Sequence, residues 1–276
     1  HALKYHNYRE FGIKRRSHEE TRLHYVDIAN SRPEQLPKDF NINKIPLEPD
    51  YDILGFIGKY SRNLDNWERD IINIVREESM YFMPQAMTKI MNEGWASFWH
   101  YKIMSELDLP QEFHLSFLKF HNQVLRPMVG RINPYHLGFT IFKWIEENRG
   151  LEECFIARSS HNDESFIRTY LNKEICEDLN LFSYSKKKKE WTIDDISDEE
   201  GWKQIRADLI KNVGLNSLPN IYIRELQKDQ TLVLEHEHDG RDLDLDYAHN
   251  VCDHLLDLWG DDFKFYTIIE EEPFEI

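Results

Sequence analysis

The sequence predicts an α+β fold: a mainly helical N-terminal domain followed by a small C-terminal domain with a mostly antiparallel sheet and helices on one face. Three observations lead there. From Tyr51 to about Asn148 apolar residues recur at intervals of three and four, the spacing that paints one face of a helix. Beyond Asn220, β-rich runs are separated by a short polar connection and one amphipathic helix, an order that builds a small sheet covered by helix. The 276 residues are 41% hydrophobic and 13% aromatic, ample apolar surface to offset chain entropy over two domains.

Residues 1–49 read as an N-terminal arm and linker. His1–Ala29 is charged and only weakly periodic, and Pro33, Pro37, Pro46 and Pro49 favour extended chain over helix. A helical domain is expected over residues 50–150. Ile53, Leu54, Ile57, Tyr60, Leu64, Trp67, Ile71, Ile74 and Val75 predict helix from about Asp52 to Tyr81, broken near Asn63. After Pro84, the residues Met87, Ile90, Met91, Trp95, Phe98, Trp99, Ile103, Met104 and Leu107 predict a buried, aromatic helix. Gln111–Val124 is a further helix, and the loop Arg126–Pro134 leads into another through Tyr135–Asn148.

Gly150 is the expected boundary to an α+β domain over residues 151–276. Glu164–Leu179 and Glu199–Val213 read as its helices. Leu181–Ile193 reads as two short strands around the tetralysine Lys186–Lys189, a hairpin tip held in solvent. Asn220–Leu226 and Thr231–His238 form a hairpin over Gln227–Gln230, and Asp239-Gly240 turns the chain. Leu245–Trp259 is an amphipathic helix closed by Gly260 as C-cap, and Phe263–Ile269 is a final strand.

Charge and composition exclude several functions. Lys and Arg number 34 against 50 Asp and Glu, a formal charge of −16, which repels phosphate backbones and makes DNA and RNA poor partners. Cys154, Cys176 and Cys252 are odd in number and form no CxxC pair, so they read as reduced thiols, not as a disulfide framework or a structural zinc site. No export signal and no apolar run of about 18 residues is visible, and a cytoplasmic protein is expected. There is no glycine-rich phosphate loop and no GxSxG, hence no nucleotide cofactor and no serine-hydrolase chemistry.

The run Met91–His100 is where chemistry is expected. Glu93 and His100 are seven residues apart, which places them two turns apart on nearly one helix face. Gly94 and Ala96 let another backbone approach, and Gly inside a helix costs about 1 kcal/mol relative to Ala. A carboxylate among Trp95, Phe98 and Trp99 must be paired, protonated or metal-bound. Two readings are open: Glu93 pairs with Lys89 or an arginine while His100 hydrogen-bonds a carbonyl, or the two belong to a metal site. The second needs further donors, since catalytic zinc takes three protein ligands; Glu77, Glu78, His121 and His136 qualify by type, and their spacing selects none.

A second cluster is His236, Glu237, His238 and Asp239, with Asp242, Asp244 and Asp246 close behind. On a strand His236 and His238 share a face, which a transition metal could bridge. The commoner outcome is a polar solvent face with Asp239-Gly240 in the turn and Arg241 paired with a nearby acid.

Arg76-Glu77-Glu78, then Tyr81-Phe82-Met83-Pro84-Gln85, Lys89-Ile90-Met91-Asn92-Glu93-Gly94-Trp95-Ala96 and Trp99-His100 resemble the signature run of the stage V sporulation protein R (SpoVR) family. Ile132-Asn133-Pro134-Tyr135 with Leu137-Gly138, His238-Asp239-Gly240-Arg241 with Leu243, and Leu258-Trp259-Gly260 are similar to its later blocks. The resemblance implies a cytoplasmic bacterial protein of spore cortex or coat formation, or of stress response, accompanied by an AAA-type serine protein kinase and a von Willebrand A-domain protein. It also implies a zincin-like helical core in which Glu93 is a Zn2+ ligand, joined by Glu78 and His100, with His100 or Tyr135 orienting a bound water or an oxyanion. Glu93, His100 and Tyr135 are then the catalytic candidates of a metal-dependent peptidase- or amidase-like hydrolase. Family members usually carry an upstream His-x-x-x-His helix, a segment that this chain either lacks or begins after. The rival expectation is a non-catalytic scaffold that docks the kinase or the A-domain protein through its acidic surface and C-terminal sheet.

Overall fold

A computed structural model describes residues 16–38, 40–128, 132–181, 183–187, 190–195 and 200–276. It is mixed α+β and divides into two compact units, one made of the chain up to Met83 together with Leu218–Ile276, the other of Pro84–Ser217. Gly150, the expected boundary, lies inside the second unit between two consecutive helices.

In the first unit, helix α1 (His18–Ser31) starts at a capping box in which Ser17 and Glu20 satisfy each other's backbone donors. The predicted helix over Asp52–Tyr81 is two helices, α2 (Ile53–Tyr60) and α3 (Asn66–Tyr81), parted near Asn63 as the pattern implied. Asp52 caps α2 by accepting from the Gly55 amide at 3.0 Å, and its two carboxylate oxygens also accept from Nε of Arg76 on α3 at 2.8 and 2.9 Å, with Nη2 2.6 Å from one of them.

The sheet of this unit has four strands in the order β3–β4–β5–β6 (Asn220–Leu226, Leu232–Glu237, Phe263–Ile269, Glu272–Glu275). Two pairs are antiparallel. β4 and β5 are parallel because helix α12 (Leu245–Trp259) crosses between them, which a hairpin turn cannot do. α12 ends at Gly260 with φ 80°, the left-handed C-cap the sequence predicts; a Cβ there would lie 2.3 Å from the Asn63 Cβ. The unit's core joins Ile53, Phe56, Ile57 and Ile72 to Ile223, Leu234, Trp259 and Phe265.

Strand β6 has no counterpart in the sequence reading. Its turn, Glu270–Glu271, has φ 51° and 69°, positions normally filled by Asn or Gly, and Pro273 sits on this edge strand, where a missing donor is tolerated.

In the second unit, α4 (Met83–Met87) precedes α5 (Lys89–Glu106), α6 (Gln111–Val124) and α7 (Pro134–Arg149). α8 (Leu151–Ser160), which the periodicity did not reveal, is followed by α9 (Asp163–Tyr170) and α10 (Lys173–Asp178) where one helix was expected. The antiparallel hairpin β1 (Ser183–Lys187) and β2 (Glu190–Asp195) and helix α11 (Gly201–Lys211) complete it. The tip of the tetralysine, Lys188–Lys189, lies outside the described residues, as does the arm before Arg16. The core centres on α5 and α7, with Met91, Phe98, Ile141, Phe142 and Ile145 buried among Phe166, Ile167 and Ile175. Among the described residues no helix is long and apolar enough to cross a membrane.

Candidate functional site

Glu93 stands where α5 and α7 touch backbone to backbone. A Cβ built on Gly94 would lie 2.4 Å from both Cα and C of Gly138, and one on Gly138 would lie 2.2 Å from the Ile90 carbonyl oxygen. Only two glycines allow this approach, and it brings the residue before Gly94 to the first turn of α7. There the Tyr135 hydroxyl faces the Glu93 carboxylate, whose hydrogen-bonding pull, with burial and the negative charge, raises that hydroxyl above its ordinary pKa, so the phenol stays protonated near neutrality.

Neighbouring residues hold both partners in place. Buried Asn133 caps α7, accepting from the Tyr135 amide at 3.0 Å and donating to the carbonyls of Val124 (2.7 Å) and Arg126 (3.0 Å); Pro134 takes the first helical position. At the other side, the start of α5 has no cap from Thr88. Instead the buried Asp163 carboxylate accepts from the Ile90 and Met91 amides, each at 2.9 Å. Burial pushes Asp163 up to about 6, against the pull of those amides. The sequence names Asn133 and Gly138 only within a block of the family resemblance, without a role, and Asp163 not at all, although an Asn-Pro pair ahead of an apolar run is a legible helix start.

Of the remaining candidates, His100 is exposed and sets its ring edge-on to Phe117 of α6, with centroids 5.3 Å apart. His121 is buried beside it, ring centroids 6.5 Å apart, and burial together with His100 lowers its pKa; its Nε2 has no hydrogen-bond partner among the described residues. His136 is half-buried and likewise lowered by burial. Glu77 and Glu78 are exposed on α3, in the unit that holds neither Glu93 nor His100. Among the described residues no three His, Cys, Asp or Glu side chains form a group able to hold a metal ion. Lys89 makes no ion pair with Glu93 among the described residues, so the simple cation-paired reading of Glu93 gives way to the tyrosine partner.

The second cluster is structural. His236 is buried instead of lining a solvent face, and its Nδ1 meets the Thr267 hydroxyl at 2.9 Å. His238 lies next to it, ring centroids 5.9 Å apart, but Nε2 is held by Asp242 at 3.1 Å and Nδ1 accepts from the Gly240 amide at 3.3 Å. Arg241 pairs with Asp239, as expected. Asp242 also accepts from the Glu270 amide, and Asp244 caps α12 through the Tyr247 amide. The three cysteines are free and buried, each thiol pushed up to about 11 by burial.

Comparison of the sequence with known proteins finds relatives. A family model described as SpoVR like protein matches residues 4–218, and one described as SpoVR-like C-terminal domain matches residues 219–269. A protein described as uncharacterized protein YcgB, of Escherichia coli (strain K12), is 34% identical over 267 residues, covering 84% of this chain and 52% of that protein. The chain thus spans about half the length of the curated relative it matches. No solved structure matches.

Proposed function

The chain belongs to the SpoVR family, and from that premise we propose that its chemistry is centred on Glu93 and Tyr135, a carboxylate–phenol pair serving hydrolysis of an amide bond in peptide or cell-wall-like material. The single observation that carries this reading is the close Gly94–Gly138 crossing, which sets the Tyr135 hydroxyl facing the Glu93 carboxylate. In this reading the half-buried Glu93 carboxylate takes a proton from the attacking water. Once Glu93 has taken that proton it no longer draws the phenol's single O–H, which turns to the oxyanion forming on the carbonyl, and Glu93 then returns its proton to the leaving amine. Glu93 is the general base in this reading and Tyr135 the oxyanion donor; His100, turned toward α6, has no part in the step. The proposed setting is spore cortex or coat formation, or stress response, in the cytoplasm beside an AAA-type serine protein kinase and a von Willebrand A-domain protein.

The test is allelic replacement in the full-length protein by Glu93→Gln and, separately, Tyr135→Phe, with protein abundance checked by blot. Both variants are expected to accumulate normally and to lower spore yield or stress survival as a deletion does. Purified protein should cleave a peptide or muropeptide amide only with both groups intact. Normal phenotypes from both variants at normal abundance would end this reading.

A further inference from the structure

Helix α3 carries its apolar residues on the wrong side for its own unit. Its inner face holds Ile72, only 6% exposed, with Arg76 tied to Asp52 and Arg69 donating to the Ser61 carbonyl at 2.6 Å. On the opposite face Trp67, Ile71, Ile74 and Val75 are 60%, 48%, 57% and 47% exposed. Trp67, Ile71 and Ile74 follow one another at spacings of four and three, the seam with which one helix packs along another. Four large apolar side chains in a continuous exposed line mark an interaction surface, unlike the scattered exposed leucines any protein has.

The charges beside the seam select the occupant. Both of the helix's cations, Arg69 and Arg76, are spent on the inner face. Asp70 and Glu77 flank the seam on one side and Glu78 continues it; all three are exposed and make no ion pair among the described residues. A second copy of the chain would bring the same acids against themselves, and the formal charge of −16 adds to that repulsion. We propose that this face of α3 docks a basic amphipathic helix of a protein partner, apolar residues meeting Trp67, Ile71, Ile74 and Val75 and Lys or Arg meeting Asp70, Glu77 and Glu78. The proposal rests on residues of the first unit alone and does not depend on the reading of the Glu93–Tyr135 pair.

The test uses the full chain and three labelled peptides, followed by fluorescence anisotropy: a model amphipathic helix with Leu along its seam flanked by Lys, the same helix flanked by Glu, and a scramble of the first. The Lys-flanked helix is expected to bind, the Glu-flanked helix and the scramble to bind at least about tenfold more weakly. Ile74→Asp should weaken binding about tenfold. The exposed double variant Asp70→Lys, Glu77→Lys, which disturbs no packed side chain, should reverse the preference toward the Glu-flanked helix. Binding should also fall as added salt shortens the Debye length from about 10 Å to about 3 Å. Equal binding of the scramble, no change on Ile74→Asp, or sedimentation showing dimers that Ile74→Asp dissolves would overturn the proposal.

Discussion

Replacing Gly94 by alanine separates what local propensity predicts from what packing predicts. In an isolated helix the change should stabilise by about 1 kcal/mol, since glycine is the poorer helix former. In this fold the new methyl would lie 2.4 Å from two backbone carbons of Gly138, whereas carbon atoms in contact sit about 3.5–4.0 Å apart. Backbone cannot rotate away as a side chain can, so α5 and α7 must part by about 1 Å. A gap of that size forfeits roughly a quarter to a half of the dispersion energy across it. The side chains that lose contact include Met91 and Phe98 on one helix and Leu137, Ile141 and Phe142 on the other. Overpacking of this kind costs about 3 kcal/mol, at the upper end of its usual range, for a net loss of about 2 kcal/mol. Gly58→Ala in α2 is the matched control: its Cβ would meet only Ile72 Cγ2, at an ordinary 3.7 Å, so it should gain about 0.5–1 kcal/mol. Urea unfolding followed by tryptophan fluorescence measures both. A Gly94→Ala protein as stable as its parent, or one shifted like Gly58→Ala, refutes the close-crossing argument and with it the reason Glu93 meets Tyr135.

Other expectations follow from the same contacts. Asp163 is raised from 3.8 to about 6 in the fold, so its ionisation opposes folding: the penalty is absent below about pH 4 and complete above about pH 6. Relative to Asp163→Asn, the parent should therefore gain up to about 3 kcal/mol between pH 7 and pH 4; a flat or falling difference in parallel urea titrations would show that the Ile90 and Met91 amides win over burial. Arg76→Ala leaves the Asp52 carboxylate, 10% exposed, without its cation and should cost about 3–5 kcal/mol by chemical denaturation, where a loss under about 1 kcal/mol would mark the pair as solvated. Asn133→Ala removes a helix cap and two carbonyl contacts, an expected loss of about 2 kcal/mol together with a lowered Tyr135 titration by ultraviolet absorbance; an unmoved tyrosine would deny Asn133 its positioning role. The three cysteines should resist thiol reagents in the native protein and react together on unfolding, and early labelling of any one would contradict its burial.

What could be read in the sequence divides along physical lines. Gln111–Val124 and Leu245–Trp259 were legible to the residue because a strong period met a clear stop, Gly260 in the second case. Periodicity names a face without saying what covers it: Trp67, Ile71, Ile74 and Val75 read like core and are exposed, while Ile72, off that line, is the residue buried. The β5–β6 hairpin was invisible because its turn uses Glu270-Glu271 at positive φ in place of Asn-Gly, and the parallel β4–β5 pairing is set by where α12 crosses. At the site, Glu93 stood out from its spacing and aromatic surroundings and Tyr135 only from the family resemblance, while Gly94 hinted at a close approach. Its partner glycine, forty-four residues on, could not be found from one strand of sequence, because a backbone contact has no side-chain signature. His100 shares a helix face with Glu93 on paper, yet the helix bends its interest to Phe117 two turns later.

The discontinuity of the first unit has a consequence for the order of assembly. Pro84–Ser217 is one uninterrupted stretch and needs no residue from Leu218 onward to close its own core. The other unit does: Ile53, Phe56 and Ile72 await Ile223, Trp259 and Phe265, which arrive only with the last strands. Until then the inner side of α3 is as bare as its outer side. During synthesis this helix thus presents two greasy flanks, of which folding withdraws one, and a ribosome stalled past Ser217 would release a finished bundle attached to an unfinished neighbour.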